Sequence, residues 1–251
     1  MSKLERLEEL LRGKDRIVLG FSGGLDSTFL ALYLKSLGKR FVAVTVDHGM
    51  LPDLEETKAL ASRLGIPHQV VRVEILQDKT FMENTPERCY FCKKEIIGAL
   101  QRFQVENGYD HVIDASNLSD LSDYMAGIIA LQEEGIFMPL FEAEATKADI
   151  IEFSRAMGLE AKPPESCLAT RIPTYTWIRK EAIERLGRVE QGIKGLGFSL
   201  VRARAHDSLL RLQFLDAEMA RALEARERIY EITRREGFEF AAIDLAAYAG
   251  G

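Results

Sequence analysis

The chain reads as an α/β protein: an open, mostly parallel sheet with helices on both faces, followed by a small α+β domain. Three observations predict this. From residue 1 to about 160, short apolar runs rich in β-branched residues alternate with stretches whose apolar side chains recur at helical spacing. The first such run passes through a glycine turn, Ser22-Gly23-Gly24-Leu25-Asp26-Ser27, into a helical stretch. Beyond residue 178 the rhythm changes to helix, strand pair, long helix and strand. The expected divisions are a first domain over 1–164, a connecting segment over 165–178 that carries Cys167, and a second domain over 179–251.

In chain order, Leu4–Leu11 is a charged amphipathic helix and Arg16–Phe21 a buried strand. Ser27–Leu37 is a helix, Phe41–Val46 a strand, Leu54–Leu64 a helix and His68–Val73 a strand. Cys89-Tyr90-Phe91-Cys92 falls in a loop that opens a helix over Lys93–Glu106. His111–Ala115 follows as a strand, Asp120–Glu133 as a helix, Ile136–Pro139 as a short strand and Lys147–Gly158 as a helix. Pro163-Pro164 closes the region, since neither residue continues a helix. The second domain is expected as helix Arg179–Leu196, strands Ser199–His206 and Ser208–Phe214 about a His206-Asp207 turn, helix Asp216–Glu236 and strand Glu239–Leu245. Gly250-Gly251 is expected to fray.

At 251 residues the chain is long enough for one large core plus a small one. With 47% hydrophobic and 29% charged residues it has a globular composition. It has no apolar run of the roughly 20 residues a membrane helix needs. Met1–Leu11 is charged rather than signal-like, so a cytoplasmic location is expected, where three cysteines are better read as ligands or nucleophiles than as disulfides. The net charge of −6 argues against a large nucleic-acid surface and leaves room for a small anionic substrate met by a few arginines.

The glycine turn has the residues of an anion cradle. Gly23 and Gly24 allow close backbone approach, N–H groups at the helix start face a phosphate, Ser22 and Ser27 add hydroxyls, and Asp26 suits Mg²⁺. Val44–Val46, ending the second strand, would offer backbone groups to an adenine edge, with Asp47 beside them. Cys89, Cys92 and Cys167 could hold a [4Fe–4S] cluster with one iron open, or Zn²⁺ with an open fourth position. Arg202 and Arg204 alternate on one strand and so share a face suited to gripping a phosphate. Arg171 is a candidate ligand for the adenylate or the substrate, Thr170 a phosphate hydroxyl donor and Lys147 a cation for pyrophosphate, while Asn117 and Asp120, after a strand end, suit ribose or metal or simply form turns. The four histidines show no metal spacing.

The Ser22–Ser27 turn resembles the pyrophosphate loop of PP-loop ATP pyrophosphatases and lacks the Gly-Lys-Ser/Thr ending of a Walker loop. Further segments sharpen the likeness: Glu87-Arg88-Cys89-Tyr90-Phe91-Cys92-Lys93-Lys94, Asp114-Ala115-Ser116-Asn117 with Asp123-Tyr124, Pro139-Leu140 with Thr146-Lys147, and Ser166-Cys167-Leu168-Ala169-Thr170-Arg171-Ile172-Pro173. Together, over roughly residues 16–206, they are similar to the LarE family of ATP-dependent sulfur transferases. That resemblance implies adenylation of a carboxylate of pyridinium-3,5-biscarboxylic acid mononucleotide and replacement of the activated oxygen by sulfur. It also implies a homo-oligomer. Some members give up the sulfur of the cysteine matching Cys167; others hold a [4Fe–4S] cluster on three cysteines, and this chain has the second pattern. It departs from the family at Ala115, where Gly is usual, at Met125-Ala126, where Arg-Pro is usual, and at Thr174-Tyr175, near a usual Tyr-Gly. These departures bear on the substrate. The competing readings are a PP-loop [4Fe–4S] tRNA thiolase and, outside catalysis, an adenine-nucleotide or redox sensor.

Overall fold

The computed structural model describes residues 1–123, 125–160 and 165–248. Tyr124, the Pro163-Pro164 break with the expected domain limit at 164, and the Gly250-Gly251 end lie outside the described residues. The chain forms two compact units. One comprises Met1–Gly49, Asp53–Ile75 and Glu87–Lys162; the other comprises Met50–Pro52, Leu76–Pro86 and Pro163–Gly251.

The first unit is built on four parallel strands, β1 (Ile17–Gly20), β2 (Phe41–Asp47), β3 (His68–Arg72) and β4 (His111–Ile113), in the order β3-β2-β1-β4. Its longer helices are α1 (Lys3–Leu11), α2 (Leu25–Ser36), α3 (Leu54–Arg63), α4 (Arg88–Glu106), α5 (Met125–Glu133) and α6 (Lys147–Ala156). A parallel sheet needs crossover helices, which cover both its faces and make its strands apolar throughout. That holds here. Ile17 and Leu19 of β1 pack in one cluster with Leu30, Leu34 and Ile150, while Val18 joins Val42, Val44, Ile97, Leu100 and Ile128 in the other. Each such fully buried aliphatic side chain contributes about 1.5–3 kcal/mol. The α/β class read from the sequence is the observed one.

Two local expectations fail in this unit. Ile136–Pro139 is not a strand: it supplies only the bridge Ile113↔Phe137, because Pro139 begins a helical turn, Pro139–Glu142, where its missing N–H costs nothing. The helix expected over Asp120–Glu133 is seen as Asp120–Asp123 and α5 on either side of Tyr124, and Asp120 accepts from Asn117 N (2.8 Å) at its start. The second correction concerns the cysteines. α4 begins at Arg88, directly after the Pro86-Glu87 entry, so Cys89 and Cys92 lie in its first turns and not in a loop.

The second unit is a three-stranded sheet in the order β5-β6-β7: β5 (Val201–His206) and β6 (Leu209–Phe214) are an antiparallel hairpin, and β7 (Phe240–Ile243) runs parallel to β6. The turn is Asp207-Ser208, one residue later than expected, since His206 still pairs with Leu209; Asp207 takes the left-handed conformation (φ 52°) that aspartate tolerates. Helix α7 (Lys180–Lys194) buries Ile183, Leu186, Val189 and Ile193, a stripe at helical spacing. The long helix expected over Asp216–Glu236 is instead a short helical turn, Asp216–Glu218, followed by α8 (Met219–Glu224) and α9 (Arg226–Arg235). Nothing in the residues around Ala225 explains that break. Asn84, fully buried, donates to Pro173 O (2.9 Å) and Thr176 O (3.0 Å), pinning the chain after Ile172. Among the described residues no helix is long and apolar enough to cross a membrane.

Candidate active site

The glycine turn sits at the carboxyl edge of the first unit's sheet, where β1 leaves its pairing with β2. Phe21 N donates to Val44 O (2.9 Å) and Thr45 Oγ1 donates to Phe21 O (2.7 Å). Thr45 has a single hydroxyl proton, so the 2.8 Å contact between Thr45 Oγ1 and His68 Nε2 has the imidazole as donor. The same proton count resolves the loop itself. Ser27 Oγ donates to Gly24 O (3.1 Å), so Ser22 Oγ donates to Ser27 Oγ (3.2 Å), while Gly24 N donates to Ser22 Oγ (3.3 Å). The two serines and Gly24 thus close a hydrogen-bonded ring ahead of α2. Gly23 has φ 76°, and a Cβ there would lie 2.8 Å from Thr57 Oγ1, so both conformation and space demand glycine. Gly24 precedes α2 with no side-chain cap, which leaves the helix's first N–H groups without a side-chain acceptor, an arrangement that suits an anion.

Around this loop stand two lysine–carboxylate pairs. Lys147, first residue of α6, donates to both oxygens of Asp26 (2.8 and 2.7 Å), and its backbone N donates to Ser119 Oγ (3.1 Å). Lys93 of α4 donates to Asp114 at the end of β4 (2.7 Å), with both side chains only 14% exposed. Burial pushes the Asp114 carboxyl up, but the charge and hydrogen bond of Lys93, with donors from Ser116, outweigh it and hold the group below the usual range. Asp120 goes the other way: burial raises it, and the nearby Asp26 carboxylate adds to the rise. Asn117, nearly fully buried, accepts from Ser119 N (2.9 Å), and its amide Nδ2 meets no acceptor among the described residues. A buried donor left over in this way is suited to a ligand oxygen. Val46 is buried at the end of β2, and Asp47 accepts from Gly49 N (2.9 Å) in a turn of its own.

Cys89 and Cys92, three apart in α4, share one helix face and are half-buried. Lys93 follows immediately and reaches Asp114, so the first turns of α4 lie at the same carboxyl edge of the sheet as the glycine loop. Cys167 belongs to the second unit and precedes the helical turn Leu168–Arg171. None of the three is in a disulfide. Within each unit, among the described residues, no three His, Cys, Asp or Glu side chains are gathered to hold a metal. Cys89 and Cys92 are thus a pair of soft donors on one helix turn, of the kind that suits iron–sulfur or zinc.

In the second unit Arg171 is buried and fully engaged. Nε and Nη2 fork onto the two oxygens of Glu190 (2.8 and 3.0 Å), and Nη1 donates to Ser166 Oγ (2.8 Å), Thr170 Oγ1 (2.8 Å) and Cys167 O (3.2 Å). Glu190 also accepts from Ala203 N (2.8 Å), tying the Cys167 turn to β5. Thr170 Oγ1 donates to Cys167 O (2.8 Å). Arg204 donates to Gln213 Oε1 (2.7 Å) and Thr170 O (3.1 Å), while Arg202 is buried with its guanidinium 5.0 Å from the centre of the Tyr248 ring. The sequence reading did not single out Glu190, Lys93, Asp114, Thr45 or His68 for these roles. Glu190 and Thr45 left a signal, each being a polar residue in an otherwise apolar stripe or strand.

Residues 1–126 match the PP-loop domain family. The chain is 30% identical over its whole length to pyridinium-3,5-bisthiocarboxylic acid mononucleotide synthase of Lactiplantibacillus plantarum, covering 93% of that protein. The chain belongs to the LarE family of PP-loop proteins. It is also 34% identical, again over its full length, to an uncharacterised protein of Synechocystis, covering 96% of it. A tRNA-5-methyluridine(54) 2-sulfurtransferase of Pyrococcus horikoshii is 25% identical over 61% of this chain and 56% of its own. As a LarE-family member the chain is an ATP-using enzyme of the sulfurtransferase class.

Proposed function

We propose that this LarE-family enzyme adenylates a carboxylate of pyridinium-3,5-biscarboxylic acid mononucleotide and converts it to a thiocarboxylate in the cytoplasm. The observation that carries the reading is the placement of the Cys89–Cys92 turn at the carboxyl edge of the sheet that bears the glycine loop, through the Lys93–Asp114 bond. The β- and γ-phosphates of ATP take the N–H groups of Gly23, Gly24 and the α2 start, with Ser22 and Ser27 hydroxyls beside them. Asp26 holds Mg²⁺ once Lys147 turns from it to the pyrophosphate. The adenine lies against Val46 and Asp47, and Asn117 Nδ2 donates to a ribose or phosphate oxygen. A substrate carboxylate oxygen then forms a bond to the α-phosphorus, the bond to the bridging oxygen breaks, and pyrophosphate leaves.

Cys89, Cys92 and Cys167 would hold a [4Fe–4S] cluster, which when bound supplies a sulfide nucleophilic near neutral pH. Sulfur adds to the acyl carbon and AMP departs with the former carboxylate oxygen. Arg202 and Arg204 bind the substrate phosphate. Arg171 acts as a positioning residue for the Cys167 turn. Anaerobic purification with iron and acid-labile sulfide analysis, joined to a substrate-dependent pyrophosphate assay, tests the reading. Cys167→Ala is expected to lose iron and thiocarboxylate formation while still releasing pyrophosphate; retention of both iron and product formation overturns the three-thiolate assignment. A shift of tRNA on the native gel would instead favour the thiolase reading.

A further inference from the structure

The face of the β5–β6 hairpin that carries Arg202, itself buried, and the part-exposed Arg204 and Arg211 holds more positive charge than its fold uses. The antiparallel register sets Arg204 directly opposite Arg211 and Arg202 opposite Gln213, so these four side chains share one face. Val201, Ala203, Leu210, Leu212 and Phe214 take the other, buried face. Like charges directly opposite on paired strands are destabilising. The acceptors of Arg204 are both neutral, Gln213 Oε1 and Thr170 O. Gln213 passes its amide N–H to Asp244 Oδ2 (3.0 Å), the same oxygen that Arg211 Nη1 approaches at 3.2 Å. One carboxylate therefore serves two guanidiniums, directly at Arg211 and through an amide at Arg204. Arg211 Nε is shielded from solvent and meets no acceptor among the described residues. Burial, with the fields of Arg211, Arg171 and Arg202, pushes the Arg204 guanidinium below its ordinary pKa.

We propose that Arg211 is a phosphate-binding residue, joining Arg204 across the hairpin to clasp the phosphate monoester of the substrate, with Asp244 as the counter-ion the phosphate displaces. The identity of the nucleotide rests on the reading under Proposed function; the anion site itself rests on the hairpin. Two guanidinium forks on adjacent strands match the several terminal oxygens of one phosphate, where a single lysine offers only a point charge. Asp244 stands just beyond β7, which ends at Ile243, and its backbone N stays on Leu212 O whatever its side chain does. Turning the carboxylate from Arg211 gives up only the Gln213 amide bond and the exposed bond from Ala246 N (3.1 Å), neither a part of the sheet ladder.

The test is calorimetric binding of a pyridine mononucleotide bearing a ring carboxylate, against its dephosphorylated riboside. Arg211→Gln is expected to weaken mononucleotide binding at least about tenfold and to leave riboside binding within about twofold. Asp244→Asn is expected to tighten the mononucleotide a few-fold. The ligand-free melting temperature of Arg211→Gln should equal or exceed that of the unmodified protein, because a like-charge pair is relieved; a purely structural arginine would lower it. Unchanged mononucleotide affinity in Arg211→Gln, or equal binding of mononucleotide and riboside by the unmodified protein, overturns the proposal. If the unmodified protein binds neither, the substrate reading fails by itself, and orthophosphate at constant ionic strength decides for Arg211. Thermal stabilisation that Arg211→Gln loses sustains the anion site, and equal stabilisation of both proteins removes it.

Discussion

The glycine-loop edge of the first unit and the arginine face of the second hold their positive charge in opposite ways. Beside the loop Lys147 is matched with Asp26 and Lys93 with Asp114, so the contacts proposed there for a phosphate are chiefly backbone N–H groups, which carry no counter-ion. On the hairpin face Arg204 and Arg211 share one carboxylate, and the contacts proposed there are whole charges. The difference teaches which contacts are interchangeable. A loop that binds through its backbone tolerates changes of charge nearby but not of shape, whereas a face that binds through guanidiniums tolerates the reverse.

The largest expected effect tests the one loop side chain assigned a direct charge role. Asp26→Ala should lower ATP cleavage by about 10²–10³-fold, the cost of losing one electrostatic contact to a reacting phosphoryl group. Pyrophosphate release at the normal rate would show that the backbone alone suffices, and would break the assignment of Asp26 to the metal.

Next comes Arg171, the second unit's fully matched arginine and so the exception on its side of the comparison. Arg171→Met leaves Glu190 buried without its partner and should cost about 3–5 kcal/mol in urea unfolding. Pairing it with Glu190→Leu should restore most of that, since two apolar groups leave no charge unmet. If the single and double variants are equally unstable, the pair is not what holds the Cys167 turn to β5.

Lys93–Asp114 retains slightly more solvent, and Asp114→Asn should cost about 2–3 kcal/mol at neutral pH. The sign of its pH dependence follows from the lowered carboxyl. The folded value lies below the unfolded one near about 3.9, so the stabilisation is complete above that value and is lost as the pH falls through the folded value. The unmodified protein should thus lose stability below about pH 4 more steeply than Asp114→Asn, by chemical denaturation at a series of pH values.

Much of this contrast could be read from the chain. The strand–turn–helix at Ser22–Ser27 and the apolar runs of β1 and β2 announce themselves, because a buried parallel strand has no polar face to blur the pattern. The shared face of Arg202 and Arg204 follows from period two alone. What escaped reading depended on pairing across the fold. Arg211 stands opposite Arg204 only once the turn is known to be Asp207-Ser208, and a His206-Asp207 turn shifts that register. Helical periodicity in the sequence begins only after Cys92, so Cys89–Cys92 reads as a loop, whereas the helix starts directly after the Pro86-Glu87 entry. The Lys93–Asp114 and Arg171–Glu190 bonds join residues 21 and 19 apart, beyond any local pattern.

The smallest effect tests shape directly. In Gly23→Ala the added Cβ would stand 2.8 Å from Thr57 Oγ1 and hold an alanine at φ 76°, costing about 1–2 kcal/mol in stability from the left-handed backbone alone. If ATP binds the loop N–H groups as proposed, the cost to ATP affinity should exceed the cost to stability. Thr57→Ala in the same chain opens the space but leaves the backbone strain, so it should recover part of the affinity and little of the stability. If instead Thr57→Ala restores both fully, crowding by α3 rather than backbone conformation fixes glycine at this position, and the loop is less demanding of shape than the hairpin face is of charge.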